Sequence, residues 1–218
     1  AAGAIAGMVS QELPAVAEAK PLITASMFGN TTQCVSRAQK GLEAEGYEVL
    51  VFHATGNGGR TMESLIDSGF ITASLDLTTT ELADYVCGGV MSAGPERMLA
   101  AARAGIPTVL APGCVDMCNF WGIETVPPQY RDRNLYQWNP NVTLMRTTVE
   151  ENVRMGQMIA EAANAATGPV AILLPLKGVS QLDSPGGMYW DPEADAACYD
   201  TIKANVNPGI PVIEMDHN

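Results

Sequence analysis

Six short, nearly unbroken apolar runs punctuate this chain, separated by longer stretches with helical periodicity. The runs are PLITASM (21–27), YEVLVF (47–52), FITASLDL (70–77), IPTVLAP (106–112), PVAILLPL (169–176) and IPVIEM (210–215). Strands that are apolar at almost every position are buried on both faces, which a parallel sheet between two helix layers provides. The stretches 31–46, 59–69, 78–90, 94–105, 147–168 and 191–206 read as the helices. Right-handed crossovers then build an α/β, Rossmann-like, doubly wound domain with a mainly parallel sheet of about six strands and helices on both faces.

Local signals fit this frame. Gly46 closes the first helical stretch. Thr78 followed three residues later by Glu81 forms a capping-box pattern. Pro95 falls in the first turn expected of 94–105, and Gly105 after its last. The stretch 113–142 reads as irregular and holds two tryptophans, two tyrosines and three prolines. Loops of that length serve function or an interface. Its aromatics could pack on a partner domain, stack on a base or cover the sheet edge, and the partner domain is the favoured reading.

A length of 218 residues suits one domain with an appendage. With 47% hydrophobic and 17% charged residues, disorder is excluded as the general state. The net charge of −12 argues against nucleic acid and against anionic membrane surfaces. No apolar stretch is long enough to span a bilayer. Five scattered cysteines do not make a disulfide framework and point to the cytoplasm, where thiols stay reduced. Cys114 and Cys118 read as small core residues rather than zinc ligands. Residues 1–20, AAGAIAGMVSQELPAVAEAK, read as a helix tail and linker from a missing N-terminal domain, with the main domain at 21–218. The chain is therefore expected to be part of something longer, and a homo-oligomer stays open.

In a doubly wound sheet, ligands bind outside the carboxyl ends of the strands. Gly, Thr, Asn and Asp recur at this one edge. The segment GNTT offers Gly29, Asn30, Thr31 and Thr32 as an anion seat at a helix start, or as an ordinary helix cap. HATGNGGRT offers His53, Thr55, Gly56, Gly58, Gly59 and Arg60, either as a second cradle with a cation or as a turn that needs its glycines. Neither matches the Walker or dinucleotide fingerprint. Thr78, Thr79 and Thr80 stand beside these loops, as ligand donors or caps. His53 and Glu81 are the acid/base candidates if the protein is an enzyme. Asp76, Asp116 and Asp183 are candidate Mg²⁺ ligands, Asp116 foremost.

Taken together, MFGNTTQCV, GYEVLVFHATGNGGRTMESLID, LDLTTTELAD, GPERMLAAARAGIPTVLAPGCVDMCNF, YQWNPNVTLMRTT, ATGPVAILLPLKGVSQLDSPGGMYWDPEAD and IPVIEMDHN resemble one family. It is the uncharacterised two-domain family, often labelled an ATP-binding domain, that includes the N-terminal half of the tomato mosaic virus resistance protein. The resemblance runs along the whole chain and is to the family's C-terminal domain. It implies a parallel α/β domain that closes on a second one, with ATP as cofactor between them; Mg²⁺ as a companion is expected from the candidate aspartates, not from the resemblance. Three functions follow as expectations: binding of a nucleotide or phosphometabolite, an ATP/Mg-dependent ligase, hydrolase or isomerase at the interdomain cleft, or a protein-interaction module.

Overall fold

The computed structural model describes residues 2–11 and 20–218. Its first strands are β1 (Leu22–Met27), β2 (Glu48–His53), β3 (Ala73–Thr78) and β4 (Thr108–Gly113). Three short ones follow, β5 (Met117–Phe120), β6 (Leu135–Asn139) and β7 (Val142–Arg146), then β8 (Val170–Pro175) and β9 (Val212–Met215). The helices are α1 (Ala2–Val9), α2 (Thr32–Ala44), α3 (Asn57–Asp67), α4 (Thr80–Cys87), α5 (Leu99–Ala104), α6 (Val149–Asn164) and α7 (Pro192–Asn205).

The six apolar runs pair in parallel as one sheet of order β2-β1-β3-β4-β8-β9. The strand order reverses between β1 and β3, so the topological switch point lies at their carboxyl ends. On one face, Ile23, Ala25 and Val49 pack with Val35 of α2. On the other, Met62 and Ile66 of α3 pack with Ala100 and Ala101 of α5. Beside them, Leu110, Ile172 and Leu174 meet Met155, Ile159 and Ile202 of the α6–α7 layer. Burial alternates along β3, with Ala73, Leu75 and Leu77 half-exposed between buried neighbours. Period-two alternation puts these leucines on the face of α2, which packs chiefly on β1 and β2.

The stretch 113–142 is not irregular. It supplies β5 and β6 of a second, antiparallel sheet of order β5-β7-β6, with single 3-10 turns at Ile123–Thr125 and Pro128–Tyr130. These strands hold four or five residues of mixed polarity, too short to print a pattern. Met117 and Leu144 of this sheet pack with Phe28, just after β1, and Cys114, just after β4. The small sheet thus rests on the carboxyl edge of the large one, while Trp121 and Trp138 stay half exposed.

Two helix starts also differ from the expected ones. Thr78 ends β3 and α4 begins at Thr80 without a side-chain cap, because Glu81 reaches across to another loop. Met98 takes a left-handed φ of 82°, so α5 begins only at Leu99 and Pro95 lies in the preceding turn. The capping box does occur at α6, where Thr148 and Glu151 exchange hydrogen bonds. α1 lies in the stretch read as a helix tail and linker, of which residues 12–19 lie outside the described residues.

Candidate functional site

β2 ends at His53, and the chain turns through Ala54–Gly56 into α3. The first N–H groups of a helix have no partner within it and attract an anion. Here the anion is the chain's own. Gly56 N–H (2.6 Å) and Gly59 N–H (3.1 Å) both donate to Glu81 Oε1, and Arg97 Nε donates to Glu81 Oε2 (2.6 Å). The other guanidinium nitrogens of Arg97 donate to both oxygens of Asp76, which also accepts from Ser26 Oγ (2.7 Å). Glu81 and Arg97 are fully buried and Asp76 nearly so. A Cβ on Gly59 would overlap the Glu81 carboxylate, and one on Gly58 would overlap the His53 carbonyl. Packing alone therefore requires both glycines.

The rest of the loop is also engaged internally. Arg60 donates to Ser92 O and Asn57 Oδ1, both at 2.9 Å, and Thr55 Oγ donates to His53 O (3.2 Å). His53 itself is exposed, its ring 5.2 Å from that of Phe28. The three threonines stitch strand ends together: Thr78 donates to Ser26 O, Thr79 to Ala111 O and Thr80 to Met117 O. All three are fully buried. Burial alone would lower the Arg97 pKa, yet Asp76, Glu81 and Glu63 together drive it above its ordinary value. Burial pushes Glu63 up to about 7, with Arg97 pulling the other way.

The GNTT segment stands differently. Gly29–Thr31 form a 3-10 turn leading into α2, and Thr31 N–H donates to Phe28 O (2.9 Å). Thr31 Oγ1 lies 2.8 Å from Thr78 Oγ1, which ties β1's end to β3's across the switch point. Thr32 Oγ donates back to Phe28 O (3.2 Å). The backbone N–H groups of Gly29 and Asn30 find no acceptor among the described residues. Asn30 Oδ1 is buried without a partner, and Asn30 Nδ2 sits 3.6 Å from Met117 Sδ.

From this turn a cleft of about 1020 Å³ runs across the carboxyl half of the sheet's α2 face. Gln33, Cys34 and Arg37 line it from α2, one face of a helix at its natural spacing. Leu75, Leu77, Val109, Ala111 and Leu173 form its floor, and Gln181, His217 and Asn218 its far rim. Asn218 Nδ2 donates to the carbonyls of Lys177, Ser180 and Asp183, which fixes the rim loop. The chain carries 24 acidic and 12 basic residues, yet no Asp or Glu lines the cleft, while Arg37 and His217 do. Arg37 forms no ion pair among the described residues.

Of the three aspartates considered for Mg²⁺, Asp116 and Asp183 are neighbours at Ser180, whose Oγ donates to Asp116 and accepts from Asp183 N–H, while Asp76 is held elsewhere. Asp76 belongs to Arg97. Asp116 accepts from Ser180 Oγ (2.8 Å), and Asp183 and Asp195 lie 3.6 and 2.9 Å from Arg146. Burial, then Asp183, raise Asp116 to about 7 and Asp195 to about 8. Among the described residues, no group of three or more His, Cys, Asp and Glu is placed to hold a metal ion.

Sequence reasoning passed over Arg37 and Arg97. The position of Arg37 on the cleft side of α2 was readable from its spacing after GNTT. Arg97 had no such signal, since its partners Asp76 and Glu81 precede it by 21 and 16 residues.

Fold and cleft define a doubly wound α/β domain with an open crevice at its switch point. The chain belongs to the family described as "Uncharacterised protein family (UPF0261) C-terminal domain", whose profile matches residues 20–218. A UPF0261 protein of Clostridium tetani is 52% identical over 219 residues, covering all of this chain and 54% of that protein. A UPF0261 protein of Rhizobium meliloti is 48% identical over 207 residues, covering 95% of this chain and 52% of its own. The ToMV resistance protein Tm-1 of Solanum lycopersicum is 48% identical over 199 residues, covering 89% of this chain and 26% of its own. The chain thus spans about half the length of its bacterial relatives, which leaves room for a domain before this one. No helix among the described residues is long and apolar enough to cross a membrane.

Proposed function

We propose that this domain binds a nucleotide or another phosphorylated metabolite in the switch-point cleft, as one half of a two-domain protein. One observation carries the reading: in a chain of net charge −12, a cleft of about 1020 Å³ is lined by no Asp or Glu side chain and by Arg37 and His217. Net charge repels anions at long range, so a local region free of acids is where one can settle. The phosphate would accept from the Gly29 and Asn30 N–H groups at the head of α2, with Arg37 one to two turns further along. The apolar floor of Leu77, Val109 and Ala111 would take a base or another flat, uncharged moiety.

ATP is the first ligand to try, because family resemblance attaches that label. Without an Asp or Glu side chain in the lining, Mg²⁺ would arrive on the phosphates rather than be held beforehand. Calorimetric titration of Mg·ATP, ADP and inorganic phosphate into the chain tests the proposal. Arg37→Ala should weaken binding at least about tenfold, the range of one charge-assisted contact. Arg60→Ala should leave it unchanged, since Arg60 is committed to Ser92 and Asn57. Equal loss in both variants, or no heat with any of the three anions, would defeat the reading.

A further inference from the structure

We infer that the far rim of the cleft is latched from beneath by a buried, proton-sharing group, Asp116, Asp183 and Asp195 around Arg146, and loosens when that group loses its proton. The latch does not depend on what the cleft binds. The rim is the loop between β8 and α7, which reaches the cleft through Gly178, Val179 and Gln181. Beneath it, Asp183 Oδ2 accepts from Val179 N–H (3.1 Å) and Oδ1 from Asp191 N–H (3.3 Å). Ser180 Oγ accepts from the N–H groups of Leu182 and Asp183, both at 3.1 Å, while donating to Asp116. Arg146, from β7, ties the loop's other end: Nε donates to Tyr189 O (2.8 Å) and Nη2 to Asp191 O (3.3 Å). The loop's shape is therefore set by the same groups that carry its buried charge.

The charges do not balance. Asp116 and Asp183 are fully buried, Asp195 and Arg146 nearly so. Three carboxylates thus share one guanidinium, the only basic group within ion-pair distance of them among the described residues. Full ionisation would strand negative charge out of water, and a buried carboxylate in that position takes up a proton instead. Contacts within the group show where the proton sits. Asp183 and Asp195 approach the same Arg146 nitrogen, and their side chains hydrogen-bond each other. Ionised carboxylates only accept, so such a bond exists only while one of the two carries a proton. Asp116 Oδ1 is buried without a partner, which an ionised carboxylate in a dry site tolerates poorly. The remaining neighbours stay neutral: burial raises the thiols of Cys114 and Cys198 and the phenols of Tyr189 and Tyr199. Asp191 commits its side chain to the cap of α7.

Burial first, then Asp183, raises Asp116 from 3.8 to about 7 and Asp195 from 3.8 to about 8. The folded site therefore binds protons more tightly than the unfolded chain does. Its stabilisation is complete below pH 3.8 and is lost as pH rises through about 7 to about 8. Once the protons leave, the carboxylates repel one another and draw in water. The rim loop, 176–191, touches the site without strand or helix to hold it, so it is the segment that gives. Val179 and Gln181 line the cleft, so the opening removes its far wall.

Hydrogen exchange of the 218-residue chain from about pH 6 to about pH 9, with a chelator present, reads the latch directly. After correction for the intrinsic pH dependence of exchange, residues 178–191 should lose protection at least about tenfold, while β1 keeps its own. Asp195→Asn supplies a fixed donor where the proton was: Oδ1 still accepts from Arg146, and Nδ2 donates to Asp183. That variant should hold the rim closed at both ends of the range. Asp116→Asn, which removes the other raised acid, should shrink the response as well, so one misfolded variant does not decide the matter. His217 stands on the rim itself, and His217→Gln should leave the response intact. A rim whose protection ignores pH would overturn the inference. So would a response that survives unreduced in both asparagine variants, or one that His217→Gln abolishes.

Discussion

Replacing Glu81 by glutamine keeps its shape and removes its charge, which isolates what that carboxylate does. The amide oxygen can still accept from Gly56 and Gly59 N–H. The NH₂ group must then face Arg97 Nε–H, donor against donor, at a site with no access to water. Breaking a buried ion pair by removing one partner costs about 3–5 kcal/mol. Asp76 still holds the other side of Arg97, so the lower end, about 3 kcal/mol, is expected. With a urea m-value of about 3 kcal/mol/M, the unfolding midpoint should fall by about 1 M. Hydrogen exchange at the Gly56 and Gly59 amides should speed up in parallel. A midpoint moved by less than about 0.3 M, with those amides unchanged, would refute the reasoning. The HATGNGG loop would then be held by something other than Glu81, and its donors would be free for an outside anion.

Four further outcomes are expected. Burial raises Asp84 from 3.8 to about 7 against hydrogen bonds from Asn119 and Met91, so the folded state binds its proton more tightly than the unfolded one. The sign follows: the full contribution is present below pH 3.8 and is lost as pH rises toward 7, a change on the order of 4 kcal/mol. Melting curves from pH 4 to 8 should show a slope that Asp84→Asn flattens, since Asn119, whose Oδ1 has no partner, can turn to meet the new amide. Gly58→Ala should destabilise strongly, because its Cβ would overlap the His53 carbonyl. Gly41→Ala, in open space on α2, should stabilise by about 0.5–1 kcal/mol in the same denaturation assay. Native protein should react with one equivalent of a thiol reagent, at Cys34 and slowly, since burial raises that thiol above its ordinary value; denatured protein should react with five.

The parallel sheet was legible because each strand carries its own signal, six apolar runs at domain-scale spacing. The second sheet was not, because strands such as Met117–Phe120 become strands only through their partners. The glycine loop shows where sequence reading stops. Three glycines and a helix start establish that N–H donors converge there. What fills them depends on Glu81, 25 residues from Gly56 in sequence and brought close only by the β1–β3 pairing. Asn30 and Thr31 of the GNTT segment line the cleft, and helical spacing carries Arg37 to the same side. The cleft's lack of acids is a property of the folded surface and has no linear trace.

The order β2-β1-β3-β4-β8-β9 also bears on how the molecule is assembled in time. By the time Thr78 has been synthesised, β1 already has both its neighbours, so a three-stranded seed exists. Each later strand of the large sheet then pairs with the one made before it: β4 with β3, β8 with β4, β9 with β8. The sheet can therefore grow from one edge as the chain emerges, with no strand waiting for a partner not yet made and none inserting between two already joined. The same geometry makes the two ends unequal under truncation. Trimming from the C-terminus removes edge strands one at a time, whereas losing β1 would cut β2 off from the rest of the sheet.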